Sequence, residues 1–135
     1  MVPALCAVGE SLRICILLKY TAVVVDPANL LNDVTGFDWD EGNLEKSWVK
    51  HEVRWTESEE VFSRRPLLIV KDEGHSRSEL RCAAWGRTAN ERRLFIVFTV
   101  SGSLIRVFSA RDMNRSERRA YDDVEKAEAD PEVQE

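Results

Sequence analysis

Between Arg81 and Arg119 the chain carries nine arginines, no lysine and only three acids. A guanidinium is a planar fork of donors that grips a phosphate through two hydrogen bonds and stays charged at any working pH, so this segment points to phosphate recognition. Arg106 stands among apolar residues in "LIRVFSA", so its charge must either be paired or open onto a cleft. Arg111 follows where that run ends, and Arg115, Arg118 and Arg119 come next, at helical spacing. Strict strand alternation puts Arg106 and Arg111 on opposite faces, so both can serve one site only if the strand ends or bulges between them. The alternative for the last three is a solvated helix face, with Arg118 and Asp122 as an i, i+4 pair.

Groups able to move a proton are fewer. His51 shares a helix face with Leu44 and Trp48, and reads either as a packed or helix-end residue or as a general base near neutral pH. Glu79 precedes Arg81 by two residues on the same strand face, as its ion-pair partner or as a base beside a phosphate clamp. Trp39 and Trp85 could stack on bases, but in a domain of this size they read as core.

The whole chain has 135 residues, 44% hydrophobic and 32% charged, enough for one folded domain and one core. The net charge of -5 hides a division: seven acids against one base from Asp122 to Glu135, next to the arginine-rich segment. Three cysteines without CxxC spacing suggest a reducing compartment, hence a cytoplasmic protein, with no disulfide framework. Neither histidine has ligand spacing to a cysteine or to the other, so no metal or other cofactor is expected. The early apolar runs "ICILL" and "TAVVV" are too short to span a bilayer, and no membrane association is expected.

The elements that must position these groups follow from the patterning. "FDWD" reads as a short first strand ending in Asp40, an N-cap for the helix "EGNLEKSWVKH". Thr56 and Glu59 have capping-box spacing for a second helix, stopped before Pro66. "PLLIV", "LRCAAWG", "RLFIVFTV" and "SLIRVFSA" alternate as strands, and their short polar connections predict an antiparallel sheet of three to four strands. A last helix starts at Asn114, with Glu117 completing its capping box. The fold class is α+β, in the order β-α-α-β-β-β-α.

With these residues placed, "FDWDEGN", "KH", "HSRSELR", "GRT", "FIVFTV" and above all "IRVFSARDMNRSERRAY" resemble the BrnT family of bacterial type II toxins, in register from about Phe37 to Tyr121. The resemblance implies a RelE-like ribonuclease fold and a toxin that cleaves RNA without metal. It also implies neutralisation by a BrnA-like antitoxin, with operator DNA reached only through that complex. Carried over by position, it implies Lys50 and His51, Glu79 and Arg81, Arg87, then Arg106, Ser109 and Arg111, with Arg118 and Tyr121 on the last helix. Arg81, Arg106 and Arg111 are then the expected phosphate ligands and His51 or Glu79 the proton-transfer group. Lys50, Arg87, Ser109, Arg115, Arg118 and Arg119 are the expected RNA contacts.

Two residues depart from the family pattern: Glu52 stands where relatives often have glycine, and Ser101 where they often have a basic residue. The loss of a positive charge at Ser101 supports a second reading, a degenerate toxin that only docks its antitoxin. A third is a domain whose arginines pair only with its own acids. The resemblance leaves residues 1–33 as an extension, poorly ordered or from a misassigned start with the native protein beginning near Val34. It places the toxin domain at 34–123 and a disordered acidic tail at 124–135, which could shield the arginines.

Overall fold

Four strands with alternating apolar residues form the centre of the sheet in the computed structural model, which describes residues 22–72 and 80–129. They are β3 (Leu68–Asp72), β4 (Cys82–Arg87), β5 (Arg93–Ser101) and β6 (Leu104–Asp112), antiparallel neighbours in chain order. This is the expected antiparallel meander. It is extended at both edges: β1 (Ala22–Val25) runs antiparallel to β3, and β2 (Gly36–Phe37) parallel to β6, giving the order β1-β3-β4-β5-β6-β2.

The helices are α1 (Pro27–Leu30), α2 (Glu41–His51), α3 (Trp55–Ser63) and α4 (Arg115–Ala129), and the chain is an α+β domain. Because successive strand residues face opposite ways, the sheet has two cores. On one face Ile69, Cys82, Ala84, Leu94, Ile96, Phe98 and Ile105 pack with Val61 and Phe62 of α3. Gly86 lets that helix come close, since a Cβ there would lie 2.6 Å from Cγ1 of Val61. On the other face α4 lays Ala120, Tyr121 and Val124 over Leu68, Val70, Ala83, Trp85 and Phe95. Trp85 is fully buried, as expected, and Trp39 is half-buried and donates from Nε1 to Glu59 at 2.9 Å.

Three boundaries differ from the sequence reading. Residues 22–33, assigned to an extension outside the domain, supply β1 and α1, and Val25, Leu30 and Leu31 pack on the first core. Their short apolar run completes the edge of β3. The last helix continues to Ala129, into the stretch read as a tail, because Val124 is buried against the sheet and Glu125 is held by arginines. The second helix starts one residue before Thr56, and its first turn is closed by Glu57, which accepts the Arg54 N–H at 3.0 Å, in place of a Thr56–Glu59 box. Asp40 caps α2 as read, accepting from Asn43 N at 2.9 Å, and the box at Asn114 forms as read, with Glu117 accepting from Asn114 N at 2.8 Å. Among the described residues no helix is long and apolar enough to cross a membrane.

Glu52 ends α2 in the left-handed conformation, at φ 55°, so the helix keeps the geometry of a glycine stop without the glycine. A β-carbon in that conformation is strained. Glu52→Gly is therefore expected to raise stability by ~1 kcal/mol, seen as a higher urea midpoint at unchanged slope.

Candidate functional site

β6 is the strand on which most of the candidate residues meet. Its pairing with β5 slips between Val97 and Phe98: Val97 faces Ser109 while Phe98 faces Val107, leaving Phe108 as an extra, unpaired residue. That bulge lies between Arg106 and Arg111. It brings Arg106, Ser109 and Arg111 to the same side of the sheet, the face that carries α4. Arg81, at the start of β4, joins them there, its guanidinium 4.6 Å from the Phe108 ring centroid.

α2 lies along the open edge of β6 and ties itself to it. Asn43 Nδ2 donates to the carbonyl of Val107 at 3.3 Å, and the Ser47 hydroxyl accepts the Ala110 N–H at 2.9 Å. The start of α2 therefore sits beside Arg106 and its end, with Lys50 and His51 exposed, near Asp112. Between the first half of α2 and β6 is an open groove of about 580 Å³, lined by Asp40, Glu41, Asn43, Lys46, Arg106 and Phe108 among others.

Most arginines of the rich segment are already engaged. Arg106 donates to Asp40 at 2.6 Å and approaches Asp38 at 3.5 Å. The Asn43 N–H and then Arg106 hold the Asp40 carboxyl below its usual range, and Asp40 in turn raises the Arg106 guanidinium. Arg111 makes a bidentate pair with Glu117, at 2.8 and 3.1 Å, and stacks 4.3 Å from the Phe95 ring centroid. Arg87 is held by Glu91 at 2.6 Å and Glu125 at 3.0 Å, and Arg93 by Glu125, Asp122 and Glu91. Asp122 is thus taken by Arg93 and not by Arg118.

Among the described residues Arg115, Arg118 and Arg119 are exposed and form no ion pair, as is true of Lys46 and Lys50. Spaced i, i+3, i+4, they share the outer face of the first turns of α4. Arg118 and His51 both act on Asp112, whose carboxyl is lowered first by its hydrogen bonds from Arg92 and further by these two charges. The ends of α2, β6 and the start of α4 thus bring His51, Lys50 and Arg118 into one neighbourhood. Arg106 lies about 16 Å away along the strand, at the far end of the groove. Glu79 lies outside the described residues.

Sequence reasoning missed Arg92, the residue that assembles this end of the molecule. It grips Asp112 through Nε and Nη2 at 2.7 and 3.1 Å, and Glu57 through Nη1 at 3.1 Å. It also donates to the carbonyls of Glu52 at 2.9 Å and His51 at 3.2 Å, capping the C-terminus of α2. These contacts push its guanidinium up, Asp112 most of all. Nothing in "TANERR" marks it, since its partners are 20 and 35 residues away. Arg92→Ala should cost about 2 kcal/mol, because it removes charge-assisted bonds to half-buried Glu57 and exposed Asp112 and the caps on two carbonyls at the end of α2. Faster amide exchange confined first to residues 48–53 would show that the loss begins at the α2 end. Cys82 has no place in this chemistry, since burial raises its thiol to about 11 and leaves it a core residue.

A family model described as the ribonuclease toxin BrnT of type II toxin–antitoxin systems matches residues 39–117, which take in α2, the groove, the bulge and Glu117. No curated protein matches the chain.

Proposed function

Since the chain belongs to the BrnT family of ribonuclease toxins of type II toxin–antitoxin systems, we propose that it is a metal-independent endoribonuclease with a RelE-like fold, held in check by a BrnA-like antitoxin in the cytoplasm. The observation that carries this reading is that exposed His51 and exposed Arg118 both lie close enough to Asp112 to lower its carboxyl, with Lys50 next to His51 in the chain and Arg115 and Arg119 on the helix face of Arg118. In the proposed reaction the ribose 2'-oxygen attacks the adjacent phosphorus, its proton passing to a base. The bond to the 5'-oxygen breaks, that oxygen takes a proton, and a 2',3'-cyclic phosphate and a 5'-hydroxyl result.

His51 is the proposed base, and Arg118, with Arg115 and Arg119, stabilises the charge that gathers on the phosphate oxygens. Arg81 and Ser109 extend the RNA path along the sheet. Arg106 and Arg111 join it where a phosphate displaces Asp40 or Glu117 from them. Glu79 remains the alternative base. The partner reading is supported by Trp48, Val49 and Trp55, which are 46%, 76% and 42% exposed on α2 and α3, an apolar patch suited to a protein partner.

The pairing of Arg106 and Arg111 with carboxylates favours the second reading, a toxin relative that docks its antitoxin and no longer cuts. Cleavage of a labelled RNA by the full chain in excess EDTA separates the two. Cutting by the wild type, and by neither His51→Ala nor Arg118→Ala of equal stability, supports the enzyme. A folded wild type that leaves RNA intact while binding the antitoxin supports the docking module.

A further inference from the structure

Outside the neighbourhood of His51, the groove between α2 and β6 has its own chemistry. One wall is Phe108, pushed out of the strand ladder by the bulge and half-exposed. Arg81 lies over the ring at 4.6 Å, a contact that holds the aromatic in place and enriches it in positive charge. The opposite wall is the first half of α2, where Lys46 is exposed and has no ion-pair partner among the described residues. The floor is Arg106, whose charge is already met by Asp40 and Asp38. Glu41, also unpaired, stands at the rim.

A free inorganic phosphate is poorly matched to this place, because Arg106 is already met by Asp40 and Asp38 and Glu41 adds a further negative charge, leaving a lysine alone to hold it. A planar, uncharged ring joined to one phosphate suits it: the ring stacks on Phe108, and the phosphate meets Lys46, a lining cation with no ion-pair partner among the described residues. The volume of about 580 Å³ is of the size that holds a small organic ligand. We propose that this groove is a nucleotide subsite for single-stranded RNA, with Phe108 as its base platform and Lys46 as its phosphate ligand. The inference rests on the reading that RNA is the substrate, and extends the path from His51 along α2 to Arg106. It gives the bulge a function beyond aligning Arg106 with Arg111, since the slip leaves Phe108 without a cross-strand partner.

The test is binding of a fluorescein-labelled oligoribonucleotide methylated at every 2'-oxygen, which cannot be cut by 2'-oxygen attack, to the full chain. Phe108→Leu should weaken binding about tenfold, while Phe108→Tyr keeps it, since stacking needs a ring and not a particular base. Lys46→Gln should weaken it and lower the slope of log K against log salt by about 0.7, one single-strand phosphate contact. Lys126→Gln, an exposed lysine far along α4, serves as the control and should change neither. If Phe108→Leu also lowers the melting temperature, the Lys46 arm decides. Wild-type affinity in both Phe108→Leu and Lys46→Gln, or no binding by the wild type, overturns the proposal. Ring-dependent binding by a chain that leaves unmethylated RNA intact would keep the subsite and remove the ribonuclease reading.

Discussion

Arg111→Ala lowers the free energy of unfolding by about 3 kcal/mol, the low end of the cost of breaking a buried ion pair by removing one partner, because Arg111 is itself a third exposed. The partner is Glu117, 1% exposed, whose carboxylate accepts both Arg111 nitrogens, the N–H of Asn114 and the indole N–H of Trp85 at 3.1 Å. One side chain therefore closes the first turn of α4, satisfies the buried tryptophan and neutralises an arginine over Phe95. Without Arg111 the carboxylate keeps two neutral donors and no cation, in a site closed to water. In a Glu117→Gln background the same Arg111→Ala change should cost only about 1 kcal/mol, because no buried charge is stranded. Equal costs in both backgrounds, measured by urea unfolding, would show that Arg111 acts through its stacking on Phe95. The expectation bears on function directly. Loss of cleavage in Arg111→Ala has a structural cause available, so Arg111→Lys, which keeps a cation and loses the fork, is the informative variant for a phosphate role.

How much of this was legible beforehand depended on how local its cause was. The helix from Glu41 to His51, the four central strands and the Asn114–Glu117 box each rest on signals within a few residues, and each forms where its pattern lies. Alternation even posed the right question about Arg106 and Arg111, that they need a bulge between them; only the register of β5 against β6 reveals that Phe108 is the bulged residue. The partners of the arginines were not legible at all. Arg106 meets Asp40 across 66 positions and Arg87 meets Glu125 across the sheet and α4, pairings that charge counting along the chain cannot find. Sequence favoured Arg106 and Arg111 as phosphate ligands because they sit in a strand among apolar residues. The same placement gives them carboxylate partners, while the helical arginines, readable as a bland solvated face, are the ones left unpaired. Residues 22–33 lie outside the matched family pattern, which carries no information about what a segment beyond it packs against.

Substituting Arg115, Arg118 and Arg119 together by glutamine should leave the melting temperature nearly unchanged and weaken RNA binding more than any other change on the surface. All three are exposed and make no ion pair among the described residues, so the fold loses little with them. Each phosphate contact to a single strand contributes about 0.7 to the slope of log K against log salt, so three lost contacts lower it by about 2. Extrapolated from 1 M salt, where the ionic contribution has faded, that slope corresponds to an affinity about 100-fold lower at 0.1 M. Arg93→Gln is the comparison, because it removes the same charge from a residue already neutralised by Glu125, Asp122 and Glu91. It should loosen α4 and cost stability while leaving the salt slope almost intact. The two variants separate charge that is available to a ligand from charge the fold has consumed. An unchanged slope in the triple variant would move RNA docking away from the start of α4, and with it the place of Arg118 beside His51.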